Sequence, residues 1–190
     1  MELKIDNTKT YAVALEGGGA KGAYEIGVWK ALDEAGIKYN AVSGTSVGSM
    51  NAALMAMGDL DHAIELWENV SMSQVINADP EEMERLVKQD IRLDDLGGMA
   101  RQVVGIISNR GLDITPLRNL LRTVVDADKI KNSGVELFIT TVSLTDKKEL
   151  EIRLNDMDRD EMCDMLLASS YLPAFRLEPL GGKFYADGGF

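Results

Sequence analysis

The chain is poor in the residues that hold metals and build cross-links. Its 190 residues include one cysteine, Cys163, and one histidine, His62. A lone cysteine cannot close an intramolecular disulfide, and no Cys/His cluster of metal-ligand spacing accompanies it, so a disulfide scaffold and a zinc site are both excluded. Positive charge is also scarce. Twenty Lys and Arg against 31 Asp and Glu leave a formal net charge of −11. Nucleic acid needs a concentrated positive surface and is excluded as a partner, and electrostatic docking to anionic lipid is disfavoured for the same reason. Any contact with a membrane or micelle is expected to be transient and apolar. Long hydrophobic runs are missing too: none reaches the ~18–20 residues of a bilayer crossing. Charges at Glu2, Lys4, Asp6 and Lys9 break up any leader-like core, which makes a cytoplasmic protein the expectation.

Glycine, by contrast, is plentiful, with 18 residues. Three glycine-framed turns stand out: Gly17-Gly18-Gly19-Ala20-Lys21-Gly22, Gly44-Thr45-Ser46-Val47-Gly48 and Asp187-Gly188-Gly189. The first two each follow a short run that reads as a buried strand, Tyr11 to Leu15 and Ala41 to Ser43, and each leads into a run of helical spacing. The first of those helices is expected from Ala23 to Ala35, stopped by Gly36, and the second from Val47 to Met57, with Asp61 capping the next. Asp79-Pro80-Glu81-Glu82 predicts a helix to about Lys88, and Val103 to Ile107 suggests another. That irregular stretch, Ser71 to Arg110, reads either as an insertion covering a site or as ordinary surface helices.

Thr115-Pro116 opens a helix to about Val124. Val135 to Leu144 and Leu150 to Leu154 predict a hairpin around Thr145-Asp146-Lys147-Lys148. Asp158 to Glu161 has capping-box spacing, and Lys183 to Ala186 predicts a last strand with Asp187 at its exit. With 45% hydrophobic and 27% charged residues, and a length within the ~100–200 residues usual for a domain, one compact domain over residues 1–190 is expected. The alternation of strands and helices predicts an α/β sandwich with a mainly parallel central sheet and some antiparallel pairing.

Gly44-x-Ser46-x-Gly48 matches a nucleophile elbow, in which two glycines allow a sharp strand-to-helix turn that projects the serine side chain. Gly17, Gly18 and Gly19 can aim backbone amides at an anion, which for a serine hydrolase is the oxyanion of the tetrahedral intermediate. Lys21 either orients that loop or is a solvated lysine in the first turn of a helix. Gly17, Gly19 and Gly22 also satisfy Gly-x-Gly-x-x-Gly, but a dinucleotide site needs an acid at the end of the second strand, where this chain has Ser43-Gly44-Thr45-Ser46. As a base for the serine, His62 has the wrong order and context. Asp187 is the better candidate, although an acid in a Gly-rich turn is by itself ambiguous. Met50, Leu54, Met55 and Met57 line either an acyl pocket or the core.

Taken together, these motifs resemble the patatin-like phospholipase family. The resemblance rests on Glu16 to Gly22, on the elbow running into Asn51-Ala52-Ala53, and on Asp187-Gly188-Gly189. Weaker echoes occur at Gly111-Leu112-Asp113 with Pro116-Leu117, and at Ala168 to Phe175. It implies a three-layer α/β/α acyl hydrolase acting on lipid or phospholipid esters without metal or organic cofactor. In that reading Ser46 is the nucleophile, Asp187 its base, and the Gly17, Gly18 and Gly19 backbone the oxyanion hole. The family often has arginine where this chain has Lys21. Its members usually continue past the Asp-Gly turn, so an end at Phe190 reads as truncation. A non-catalytic lipid-binding or regulatory module of the same fold, and an esterase or acyltransferase of small esters, are the alternatives.

Overall fold

The computed structural model describes residue 6 and residues 8–77 and 111–189. The helices expected at Pro80 to Lys88 and Val103 to Ile107 lie outside the described residues. The remaining elements run β1 (Ala12–Leu15), α1 (Gly22–Glu34), β2 (Ala41–Thr45), α2 (Val47–Met57), α3 (Leu60–Asn69), α4 (Thr115–Val124), α5 (Ala127–Asn132), β3 (Glu136–Ser143), β4 (Lys148–Arg153), α6 (Arg159–Ser169) and β5 (Tyr185–Asp187). They form a mixed sheet with flanking helices, consistent with the expected three-layer α/β/α sandwich. β1, β2 and β3 are parallel neighbours, and β3 pairs antiparallel with β4 and with β5.

The local physics of these elements is readable in the residues. β2 and β3 bury Val42, Leu137 and Ile139 almost completely; paired positions share a face, and α2 packs there, against Gly44. α2 itself buries eight of its eleven residues, which explains why Asn51-Ala52-Ala53 are small enough to be enclosed. Gly58 ends α2 in the left-handed conformation, and Asp59 starts α3 at once, its Oδ1 accepting from the His62 amide at 3.3 Å. The cap is therefore Asp59 and not Asp61, because only Gly58 and Asp59 separate the two helices. α4 has no hydroxyl cap of its own; Asp113 Oδ1 instead accepts from the Thr115 amide and hydroxyl at 2.9 and 2.6 Å. α6 carries the expected capping box, with Asp158 and Glu161 each bonding the other's amide.

The last strand, β5, closes the sheet at the end where the elbow emerges. β2 ends where Thr45 faces Thr140 of β3, and β5, running the opposite way along the same edge, ends where Asp187 faces Thr141. Two strand ends thus meet head-on at consecutive residues of β3. The two weaker sequence echoes also meet: Leu112 donates to the Ala174 carbonyl and Arg176 donates to the Leu112 carbonyl, at 2.9 and 2.8 Å.

Candidate active site

Ser46 stands between β2 and α2 with φ 56° and ψ −130°, a left-handed conformation that a non-glycine residue adopts at a cost of about 1–3 kcal/mol. Its neighbours force the turn. A Cβ on Gly44 would lie 2.1 Å from the Gly48 carbonyl oxygen, and one on Gly48 would lie 2.5 Å from the Glu16 carbonyl oxygen. Both contacts are far inside van der Waals distance. The elbow therefore closes only because both framing positions lack side chains, and the second of them seats the turn against the end of β1.

β1 leads straight into the first glycine turn. Gly17 lies against Ser46: a Cβ there would sit 3.0 Å from Ser46 Cβ and 3.7 Å from Ser46 Oγ. Gly18 and Gly19 have φ of 143° and 57°, and their amides donate to no described residue. The Lys21 stem folds over Gly18, its Cδ 3.0 Å from the position a Cβ would take. Lys21 thus packs the loop through its hydrocarbon, while its residue as a whole stays exposed. The start of α1 is pinned from the α2 side by Asn51, which is buried. Its Nδ2 donates to the Gly22 carbonyl at 2.9 Å and to Glu25 Oε2 at 2.7 Å, while its Oδ1 accepts from Trp67 Nε1 at 2.9 Å. Burial pushes the Glu25 carboxyl above the usual carboxylate range, with Asn51 opposing the shift.

Asp187 ends β5 at 3% exposure. Oδ1 accepts from the Gly189 amide at 2.8 Å, so the glycine after the turn serves the carboxylate directly. Oδ2 has no hydrogen-bond partner among the described residues. Burial raises the Asp187 pKa above its ordinary value, and the Ser46 hydroxyl and the Gly189 amide pull it back down. The structure thus brings together Ser46, the Gly17 to Gly19 loop and Asp187, drawn from three distant parts of the chain. An oxygen with an unfilled lone pair beside a serine hydroxyl is suited to receive that hydroxyl's proton.

His62 is not part of this assembly. It is exposed on α3, beyond the end of α2 opposite Ser46, and that helix is about 16 Å long. The methionines and leucine after the elbow divide differently from an acyl pocket: Leu54 and Met55 are core residues at 3% and 2% exposure, and Met50 and Met57 pack partly buried against the same core. An apolar groove of about 500 Å³ opens elsewhere, lined by Leu144, Tyr171, Leu172, Phe175, Leu177 and Tyr185 among others. It borders β5, whose Asp187 amide donates to the Tyr171 carbonyl at 2.9 Å. Ser169 was missed as a site residue in the sequence, where only its place in the Ala168 to Phe175 echo marked it. It is fully buried and hydrogen-bonded to the Ser46 amide.

The family model described as "Patatin-like phospholipase" matches residues 13–190. Human patatin-like phospholipase domain-containing protein 6 is 55% identical over 47 residues, a stretch that covers 25% of this chain and 3% of that protein. Lysophospholipase nte1 of Aspergillus terreus is 48% identical over 48 residues, again 25% of this chain and 3% of the other. The chain therefore matches only a small part of the length of these curated relatives. Among solved structures, VipD from Legionella pneumophila aligns over 95% of this chain and 46% of its own, with a TM-score of 0.60 and 16% identity, a likeness of fold. With a family model spanning nearly all of its length and the ordered glycine turns folded into one site, the chain belongs to the patatin-like phospholipase family.

Proposed function

We propose that this chain is a lipid acyl hydrolase of the phospholipase A or lysophospholipase type, working through a Ser46–Asp187 dyad. The reading is carried by one observation: β2 and β5 end head-on at Thr140 and Thr141, so that a strained serine and a buried carboxylate with a free lone pair face each other. The names of the curated relatives, a phospholipase domain protein and a lysophospholipase, support the substrate class.

In this mechanism Ser46 Oγ attacks the ester carbonyl carbon as its proton passes to Asp187 Oδ2. Negative charge moves to the carbonyl oxygen, where the Gly17, Gly18 and Gly19 amides and the positive end of α2 stabilise it; one such donor is worth ~2.7–4 kcal/mol of barrier. Collapse breaks the bond to the leaving alcohol, which takes the proton from Asp187 and departs, leaving an acyl-Ser46 ester. Water then attacks that ester, Asp187 accepts the water's proton, and the fatty acid leaves as Ser46 regains its own. The groove beside β5 takes the acyl chain, since its wall includes Tyr185 and Ala186, directly before the base.

A fluorophosphonate probe tests the nucleophile. The wild-type chain is expected to be labelled on one serine, with Ser46→Ala unlabelled and Asp187→Asn labelled at least ~100-fold more slowly. Equal labelling of Ser46→Ala would remove the nucleophile from this reading. A series of esters of rising acyl length tests the substrate class, and activity confined to the shortest would favour a small-ester esterase.

A further inference from the structure

Ser169, the last residue of α6, makes none of the contacts usual for a serine near a helix end. Such a hydroxyl commonly bonds back to its own helix, as neighbouring Ser170 does with the Leu166 carbonyl at 3.3 Å. Ser169 Oγ reaches out of the helix instead. It donates to the Thr140 carbonyl at 2.7 Å and accepts from the Ser46 amide at 3.0 Å, across 123 positions of sequence. Since its one proton goes to Thr140, a lone pair is left facing the Ser46 N–H.

The backbone of the same segment holds the other side of the site. The Ser169 carbonyl accepts from the Gly188 amide at 3.2 Å, and the Tyr171 carbonyl accepts from the Asp187 amide at 2.9 Å. β2 and β5 are not paired with each other; each is paired only with its own stretch of β3 along this edge. The gap between the strand ends is therefore bridged from the end of α6, by a residue with 0% exposure whose loss would leave buried backbone groups unpartnered.

We propose that Ser169 is a positioning residue for the dyad, its hydroxyl fixing the Ser46 backbone in the strained turn that aims Oγ at Asp187. This assignment rests on the acyl-hydrolase reading. It requires that removing the hydroxyl damage the chemical step rather than substrate binding, since a misplacement of about 1 Å can cost ~100-fold in rate. A buried hydroxyl that only satisfied the helix end would lower stability and leave the turnover of folded protein unchanged.

The test is Ser169→Ala and Ser169→Cys in the full chain, assayed for fluorophosphonate labelling rate and ester hydrolysis beside wild type and Ser46→Ala. Circular dichroism and thermal melting identify the folded fraction. Expected is a fall of about 10–100-fold in labelling rate and kcat for Ser169→Ala, with KM within about threefold. Ser169→Cys leaves no cavity, its thiol being slightly larger than the hydroxyl, but offers only a weak acceptor, so it too is expected to lose kcat, and it decides the matter if Ser169→Ala does not fold. A folded variant that is labelled and turns over at the wild-type rate, or that changes KM alone, overturns the assignment. An unlabelled wild type, or labelling of Ser46→Ala equal to wild type, overturns the acyl-hydrolase reading itself and this assignment with it.

Discussion

Asp187 sits where its charge is opposed by its surroundings. Burial raises its pKa, and only the Ser46 hydroxyl and the Gly189 amide favour the ionised form. The folded chain therefore binds this proton more tightly than the unfolded chain does. Its contribution to stability is present below the unfolded pKa and is lost as pH rises through the raised folded value; above that, the buried carboxylate is a standing cost. Asp187→Asn is expected to melt at a higher temperature than wild type at about pH 7–8, with the difference vanishing toward about pH 4, while hydrolysis is lost. Thermal unfolding across that pH range checks it, and a lower melting temperature at neutral pH would contradict it. By the same sign, the acid limb of kcat/KM is expected to lie above the ordinary aspartate range, activity rising with pH as Asp187 loses its proton. The sequence made Asp187 a candidate because it ends a strand and glycines follow it; that Gly189 bonds its carboxylate and that Oδ2 has no partner among the described residues came only from the folded chain.

At the scale of elements, α2 is the pivot. Its first residue follows the strained serine, and its second turn carries Asn51, which joins α2 to the start of α1 and to Trp67 of α3. Asn51→Ala would leave the Trp67 indole N–H and the Glu25 carboxyl without their partner in a part-buried place. A loss of about 2–4 kcal/mol of stability is expected from denaturant unfolding. Slower fluorophosphonate labelling should accompany it, because the glycine loop leads directly into Gly22. Unchanged stability would mean that other partners or water replace the amide. The strands and helices of this region were legible in the sequence because their punctuation is strong: glycines at the ends of α1 and α2, a capping box at α6, and a charged turn in the β3–β4 hairpin. The short α5 and the shift of a cap from Asp61 to Asp59 were not, since both depend on how tightly one helix follows another. The apolar run after Ser46 was ambiguous for a related reason. Periodicity says that Leu54 and Met55 are buried and does not say whether against protein or ligand.

Across the whole molecule, a net charge of −11 leaves apolar contact as the means by which the proposed lipid ester would be held. No described helix is long and apolar enough to cross a membrane. Leu144, Leu172 and Leu177 remain 45%, 40% and 52% exposed along the groove beside β5. Placing a charge there opposes an acyl chain without touching the dyad. Leu172→Asp is expected to raise KM for long-chain esters by about tenfold and to leave short-chain esters nearly unchanged, as the loss of about two buried methylenes at ~0.8 kcal/mol each implies. Steady-state kinetics over an ester series reads this out, and an equal effect on all chain lengths would remove the groove from the acyl path.

By itself, the sequence determined the local geometry of this protein. Gly44 and Gly48 frame a turn that no side chain would permit, Gly18 and Gly19 open a backbone loop, and the scarcity of histidine makes an aspartate the candidate base. The turns are properties of a few adjacent residues, and short-range sterics are written in the residues themselves. What only the tertiary structure decided is convergence: that β5 enters the sheet in line with β2, that Thr140 and Thr141 set Ser46 and Asp187 face to face, and that Ser169 spans the gap between them. Strand register and the reach of a buried hydroxyl across 123 positions depend on the packing of the entire sheet, and no local pattern of residues encodes them.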